Sequence, residues 1–85
     1  MNKKTYFEKT LEEIKNKKQD KIQELIQHDL SKLMEMKKAA YDRYVTVLDL
    51  GFEEAAEIRY QLFLIIKEAV QVKMGNEETA WDAMT

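Results

Sequence analysis

The sequence contains no cysteine and no proline, and its only glycines are Gly51 and Gly75. Without cysteine the chain forms neither a disulfide framework nor a thiolate zinc site, so stability must come from helix packing or oligomerisation. Turn residues this scarce also argue against a β-rich domain. The plentiful residues are strong helix formers such as alanine, leucine, glutamate and lysine. We therefore expect residues 1–85 to form a single all-α domain.

Long apolar runs are also absent. The longest covers residues 62–66, far short of the roughly 20 residues that span a bilayer. The N-terminal residues turn acidic where a signal peptide needs an apolar segment. We expect no membrane partner and a cytoplasmic location.

Apolar periodicity and the two glycines predict a long helical hairpin. The first helix is expected over about 5–49 and the second over about 52–74, with a short C-terminal helical turn after Gly75. A link this short makes the two helices antiparallel neighbours. Trp81 in the tail is expected to dock on the bundle, because an indole gains by covering apolar surface.

Residues 15–21 contain no apolar side chain, and two interpretations are open there. One helix can run through this stretch, because Leu11 and Ile22 are eleven residues apart, close to three turns. Alternatively the chain breaks near 16–20, with Asp20 capping a new helix, and folds as a monomeric three-helix bundle. The preserved phase of the apolar stripe favours the continuous helix.

The unequal lengths of the two helices predict a dimeric helical bundle. At about 1.5 Å per residue the second helix reaches only about 34 Å, so the N-terminal part of the first lacks a partner. The 62–66 run is also apolar over more than half of the helix circumference, which is more than one neighbour covers. A two-fold dimer answers both needs. The expected oligomer interface consists of Phe7, Leu11, Ile14, Leu62, Phe63 and Ile66.

No combination of residues carries a catalytic signature. His28 is the only histidine, and its four-residue spacing from Glu24 is not the Glu-x-x-His spacing of di-iron bundles. Ser31 cannot assemble a catalytic triad with neighbours on its own helix. We expect no enzymatic activity, no catalytic residue, no metal site and no cofactor.

Charge is distributed unevenly, with a net +3 over residues 1–21 and −5 over residues 49–85. The basic segment includes a cluster of four side chains suited to phosphate contact: Lys15, Lys17, Lys18 and Lys21. A solvated helix face is the more common role of such a run. The sequence therefore favours a non-enzymatic protein–protein interaction module, a small helical adaptor, inhibitor or regulator that acts as a homo-oligomer and binds an unidentified protein. The alternative is a nucleic-acid-associated protein that uses the basic N-terminal segment.

Overall fold

The computed structural model describes the backbone of residues 5–84 and the side chains of residues 5–75. This part of the chain contains helices and connecting turns but no strand, so the all-α class is confirmed. The helices are α1 (Tyr6–Asn16), α2 (Lys18–Leu25), α3 (Leu30–Asp49) and α4 (Glu53–Met84). The side chain of Trp81 lies outside the described residues.

Helix α4 is the centre of the architecture, and the other three helices pack against it. Helices α3 and α4 form the expected antiparallel hairpin. Helices α1 and α2 run along α4 in its own direction, since Lys18 reaches Glu68 and the carbonyl of Ile26 reaches Lys73. The result is a three-helix arrangement in which α1 and α2 together form one of the three rods.

The turn between α3 and α4 depends on Gly51, as the sequence predicts. Gly51 has φ +86°, a left-handed conformation that costs glycine little because it has no Cβ. Its N–H donates to the Leu48 carbonyl, and the N–H of Phe52 donates to the Val47 carbonyl at 3.3 Å. These two bonds define a Schellman motif, which satisfies carbonyls left unpaired at the end of α3.

The predicted single helix over 5–49 is wrong, because the chain reverses at residues 26–29. At the end of α2 the N–H groups of Gln27 and His28 donate to carbonyls only three residues earlier, which tightens the last turn. Asp29 then caps α3, and its carboxylate accepts a hydrogen bond from the Lys32 N–H at 2.9 Å. Folding back gives the apolar side chains of α1 a surface within their own chain.

The basic stretch at 15–21 contains the boundary between α1 and α2, at Lys17, but the chain bends there and does not reverse. Lys17 leaves helical geometry (φ −99°, ψ 4°), yet its N–H donates to the Glu13 carbonyl and its own carbonyl accepts from the Lys21 N–H. The i→i−4 ladder therefore passes through the bend. The alternative break near 16–20 is confirmed as the boundary between α1 and α2. Its predicted cap is wrong, because Asp20 lies inside α2, whose first turn has no side-chain cap.

The helix start predicted at about residue 5 is confirmed. Thr5 caps α1 by accepting a hydrogen bond from the Glu8 N–H at 3.2 Å. The predicted helix end at Gly75 and the separate C-terminal turn are wrong, because α4 continues through Gly75 to Met84. Gly75 does not take a positive φ. A glycine in ordinary helical geometry weakens a helix by about 1 kcal/mol without ending it.

The hydrophobic core lies at the end of the bundle where the chain reverses. Its buried cluster consists of Ile22, Leu25, Leu33, Ile65, Ala69 and Val70. Near the hairpin turn, by contrast, Ala56 is the one buried apolar side chain in the part of the chain with described side chains. The two ends of the bundle are therefore packed very unequally.

Two polar contacts join α2 to α4 beside this core. The Nζ of Lys18 lies 2.8 Å from the Glu68 carboxylate. The Nζ of Lys73 donates to the Ile26 carbonyl at 3.1 Å, and this bond is partly shielded from solvent. A cation at this position also complements the negative end of the α2 dipole. Both contacts hold the returning rod against α4.

The cap at the reversal gives a direct stability test. We expect Asp29→Ala to lower the free energy of unfolding by about 1 kcal/mol, because the Lys32 N–H loses its partner. Asp29→Asn should retain most of the stability, since asparagine caps helices as well as aspartate does. Asp20→Ala should change it by less than about 0.5 kcal/mol. Urea titrations followed by circular dichroism measure all three, and an Asp20→Ala loss equal to the Asp29→Ala loss would contradict the assigned cap.

Candidate protein-interaction surfaces

The six apolar residues predicted for an oligomer interface do not form one surface. All six are half-buried. Ile14 and Ile66 pack against the chain's own core, so part of the N-terminal segment has its apolar partner within the monomer. Phe63 faces α3, whereas Leu62 faces a cleft on another side of α4. The need for a second subunit to cover α1 is accordingly reduced.

The most exposed large apolar side chains gather at the hairpin-turn end. Tyr6 is 83% exposed, Leu50 65% and Phe52 61%, whereas the other exposed large apolar side chains with described positions lie below 50%. Tyr6 and Phe52 border a groove of about 430 Å³ between the starts of α1 and α4. We define the turn-end patch as Tyr6, Phe7, Leu50, Phe52, Ala55 and Ile58.

The backbone holds Phe52 firmly in this exposed position. Its N–H closes the Schellman motif of α3, and its carbonyl accepts the Ala56 N–H at 2.8 Å at the start of α4. The groove beside it is also lined by Glu53 and Glu54. Acidic side chains are favourable there because the first turn of a helix carries partial positive charge. The turn-end patch is therefore apolar with an acidic rim.

A second concave surface has the opposite charge. It is a cleft of about 280 Å³ with α4 as its floor and with α2 and α3 as its walls. We define the basic cleft by its lining residues: Lys21, Leu25, Met36, Ala40, Arg43, Arg59, Leu62, Ile65 and Ile66. Three of these are cationic and none is acidic. Neither Arg43 nor Arg59 forms an ion pair with any residue whose side chain is described.

Four aromatic rings form a contiguous row along the seam between α3 and α4. Tyr41 contacts Phe63 with ring centroids 5.4 Å apart, and Tyr44 contacts Tyr60 at 5.1 Å. Tilted pairs at such distances stabilise by about 0.5–1.5 kcal/mol beyond their buried area. Because each of these pairs joins the two helices, the row is chiefly part of the hairpin packing.

The lysine cluster is only partly available for phosphate. Lys18 pairs with Glu68 at 2.8 Å, and Lys21 lies 3.6 Å from Glu24 on its own helix. Lys15 and Lys17 are exposed at the bend between α1 and α2. Two cations out of four are thus already matched by nearby carboxylates, which lowers the positive potential of this face.

Glu24 and His28, the carboxylate and imidazole that the sequence places four residues apart, belong to no larger group of metal ligands among the described residues. Glu24 and His28 are both exposed. Among the described residues, no three histidine, cysteine or acidic side chains are placed to hold a metal ion. In the same part of the chain, none of the helices combines the length and the apolarity that a membrane crossing needs.

Sequence reasoning missed the basic cleft, although one signal for it was present. Arg43 and Arg59 are each eight residues from Gly51, so an antiparallel hairpin places them at the same level on neighbouring helices. The third cation, Lys21, joins them only because the chain reverses at 26–29. That reversal was not expected from the periodicity.

Comparison with known protein families, with curated proteins and with solved structures finds no significant match. The surfaces described above are therefore the basis for any functional proposal.

The partial pairing of the lysine cluster predicts weak DNA binding. We expect a dissociation constant of about 10⁻⁴ to 10⁻⁶ M, or weaker, at physiological salt, without sequence preference. Lys15→Ala with Lys17→Ala should weaken this binding more than Lys37→Ala with Lys38→Ala, because Lys15 and Lys17 are the exposed part of the lysine cluster. Fluorescence anisotropy with a duplex and its scrambled counterpart measures this. Submicromolar affinity with a clear preference for one duplex would contradict it.

Proposed function

We propose that the protein is a non-enzymatic protein–protein interaction module, a small helical adaptor, inhibitor or regulator that acts as a homo-oligomer. The observation that carries the proposal is the turn-end patch, where Tyr6, Leu50 and Phe52 expose most of their surface at one end of the bundle. Single exposed apolar residues are ordinary, but a cluster around a groove is typical of an interaction site.

The energetics of the patch support a docking role. Burying Tyr6, Leu50 and Phe52 would contribute roughly 1.5–3 kcal/mol per side chain before entropy is subtracted. Aromatic side chains are also the commonest residues at the energetic centre of interfaces. The backbone of Phe52 is already fixed by hydrogen bonds on both sides, so binding orders little more than its ring.

Self-association is supported by the unequal packing of the two ends. A chain of this size buries a small core, and here that core lies at the reversal end. A second copy that covers the opposite end would add apolar burial where the monomer has least. A different protein could later displace that copy, which is how a small adaptor or inhibitor would be regulated.

The turn-end patch predicts how self-association responds to mutation. Sedimentation equilibrium should show wild-type association at micromolar concentration. Phe52→Asp should raise the dissociation constant at least about ten-fold, because a charge would lie at an apolar contact. Circular dichroism should change little, since Phe52 is mostly exposed.

Val72→Asp is the matched control for this substitution. Val72 is an exposed apolar residue on the same helix but far from the turn, so its replacement should leave association unchanged. A wild-type protein that is a well-folded monomer at micromolar concentration would overturn the homo-oligomer. Equal effects of the two substitutions would show that the turn-end patch is not the contact.

A further inference from the structure

We propose that the occupant of the basic cleft is the turn-end patch of a second copy of this chain, which rests on the self-association proposed above. The contact is reciprocal, so that each patch fills the other copy's cleft. This contact differs from the interface that the sequence predicts. Of the six residues predicted there, only Phe7 lies in the turn-end patch, and only Leu62 and Ile66 lie in the basic cleft.

The chemistry of the basic cleft defines what it can hold. Its floor is apolar, formed by Leu62, Ile65 and Ile66, so the occupant must bring an apolar group. Arg43 and Arg59 stand at the same cleft without an ion-pair partner among the described side chains. Covering an arginine without supplying an anion is costly, whereas a carboxylate can bind it through two parallel hydrogen bonds. The occupant therefore combines a bulky apolar group with carboxylates.

The turn-end patch has this combination of groups. Phe52 protrudes at the turn, and the next two residues along the chain are Glu53 and Glu54. Both carboxylates belong to exposed residues that form no ion pair with any described side chain. The turn-end patch therefore presents an apolar side chain next to two carboxylates, and the basic cleft presents an apolar floor next to two arginines, so the two surfaces are complementary.

The two surfaces also have the placement that a closed dimer needs. Ala55 and Ile58 line the patch groove, and Leu62 and Ile66 line the cleft. Spacings of three and four residues put all four on one face of α4. A two-fold axis crossing this face between Ala55 and Ile58 sets two α4 helices antiparallel. Phe52 and Glu54 of each copy then lie near the levels of Leu62 and Arg59 of the other. Such an isologous contact closes on itself and produces a dimer and not a filament.

An acidic amphipathic helix from another protein would satisfy the same cleft chemistry. The second copy is preferred because the complementary group, with both its apolar and its acidic part, is present on this chain. Charge-reversing substitutions distinguish a second copy from another protein. Only in self-association do both the acidic and the basic surface belong to this chain, so that both can be substituted.

The test uses two double variants of the full chain. The first, Glu53→Arg with Glu54→Arg, makes the patch basic, and the second, Arg43→Glu with Arg59→Glu, makes the cleft acidic. Each variant alone should associate at least about ten-fold more weakly than wild type, because like charges then face each other. An equimolar mixture of the two should regain near wild-type affinity, since both contacts of the mixed dimer join opposite charges. Sedimentation equilibrium and energy transfer between labelled variants measure these affinities.

Glu35→Arg is the control. Glu35 is exposed and lies in neither surface, so reversing its charge should leave association unchanged. Thermal melting identifies any variant that fails to fold, and the mixture remains informative because its rescue requires two folded partners. Wild-type association that neither double variant weakens, or a mixture that fails to restore it, would overturn this pairing while leaving self-association standing. A monomeric wild type would overturn both proposals. A monomer that binds a labelled acidic amphipathic peptide through Arg43 and Arg59 would assign the cleft to another protein.

Discussion

The reversal of the chain at residues 26–29 is the constraint on which the rest of this structure depends. Because of it, residues 5–49 form two rods, α1 with α2 and α3 alone, and both rods pack against α4. Three interactions hold it: the Asp29 cap on α3, the Lys73 hydrogen bond to the Ile26 carbonyl, and the buried cluster around Leu33. Leu33 is fully buried, and the half-buried Ile26 and Leu30, which flank the reversal, pack against the same cluster. Only after this reversal can α1 return along α4.

The proposed function follows from the packing that this reversal produces. Apolar burial is concentrated at one end, and at the other end Tyr6 and Phe52 meet around an open groove. Tyr6 is there because α1 returns, and Phe52 is there because the Schellman motif at Gly51 fixes the turn. The same return of α2 places Lys21 beside Arg43 and Arg59 and completes the basic cleft. Both proposed contact surfaces therefore require parts of the chain that are distant in sequence.

Local features of this fold were predictable where one residue has a local physical role. Gly51 ends α3 because its positive φ suits glycine, and Thr5 caps α1 because its hydroxyl reaches the N–H three residues later. The reversal was hidden because Ile26 and Leu30 are four residues apart and preserve the helical phase across it. At Gly75 the sequence predicted a helix end that the structure does not have, because glycine permits a helix to end but does not force it to. The turn-end patch and the basic cleft depend on the reversal, so they could not be read from the periodicity.

The most direct test of this account is the distance between α1 and the start of α4 within one molecule. Because the chain has no native cysteine, spin labels can be placed at Lys9→Cys and Glu57→Cys, both exposed positions. Helices packed side by side place such labels within about 35 Å of each other. That distance should persist in electron–electron double resonance when labelled protein is diluted with excess unlabelled protein. A single helix through residue 49 would instead separate the labels by about 60 Å. Such a distance, or a short one that dilution abolishes, would contradict the return of α1 along its own chain.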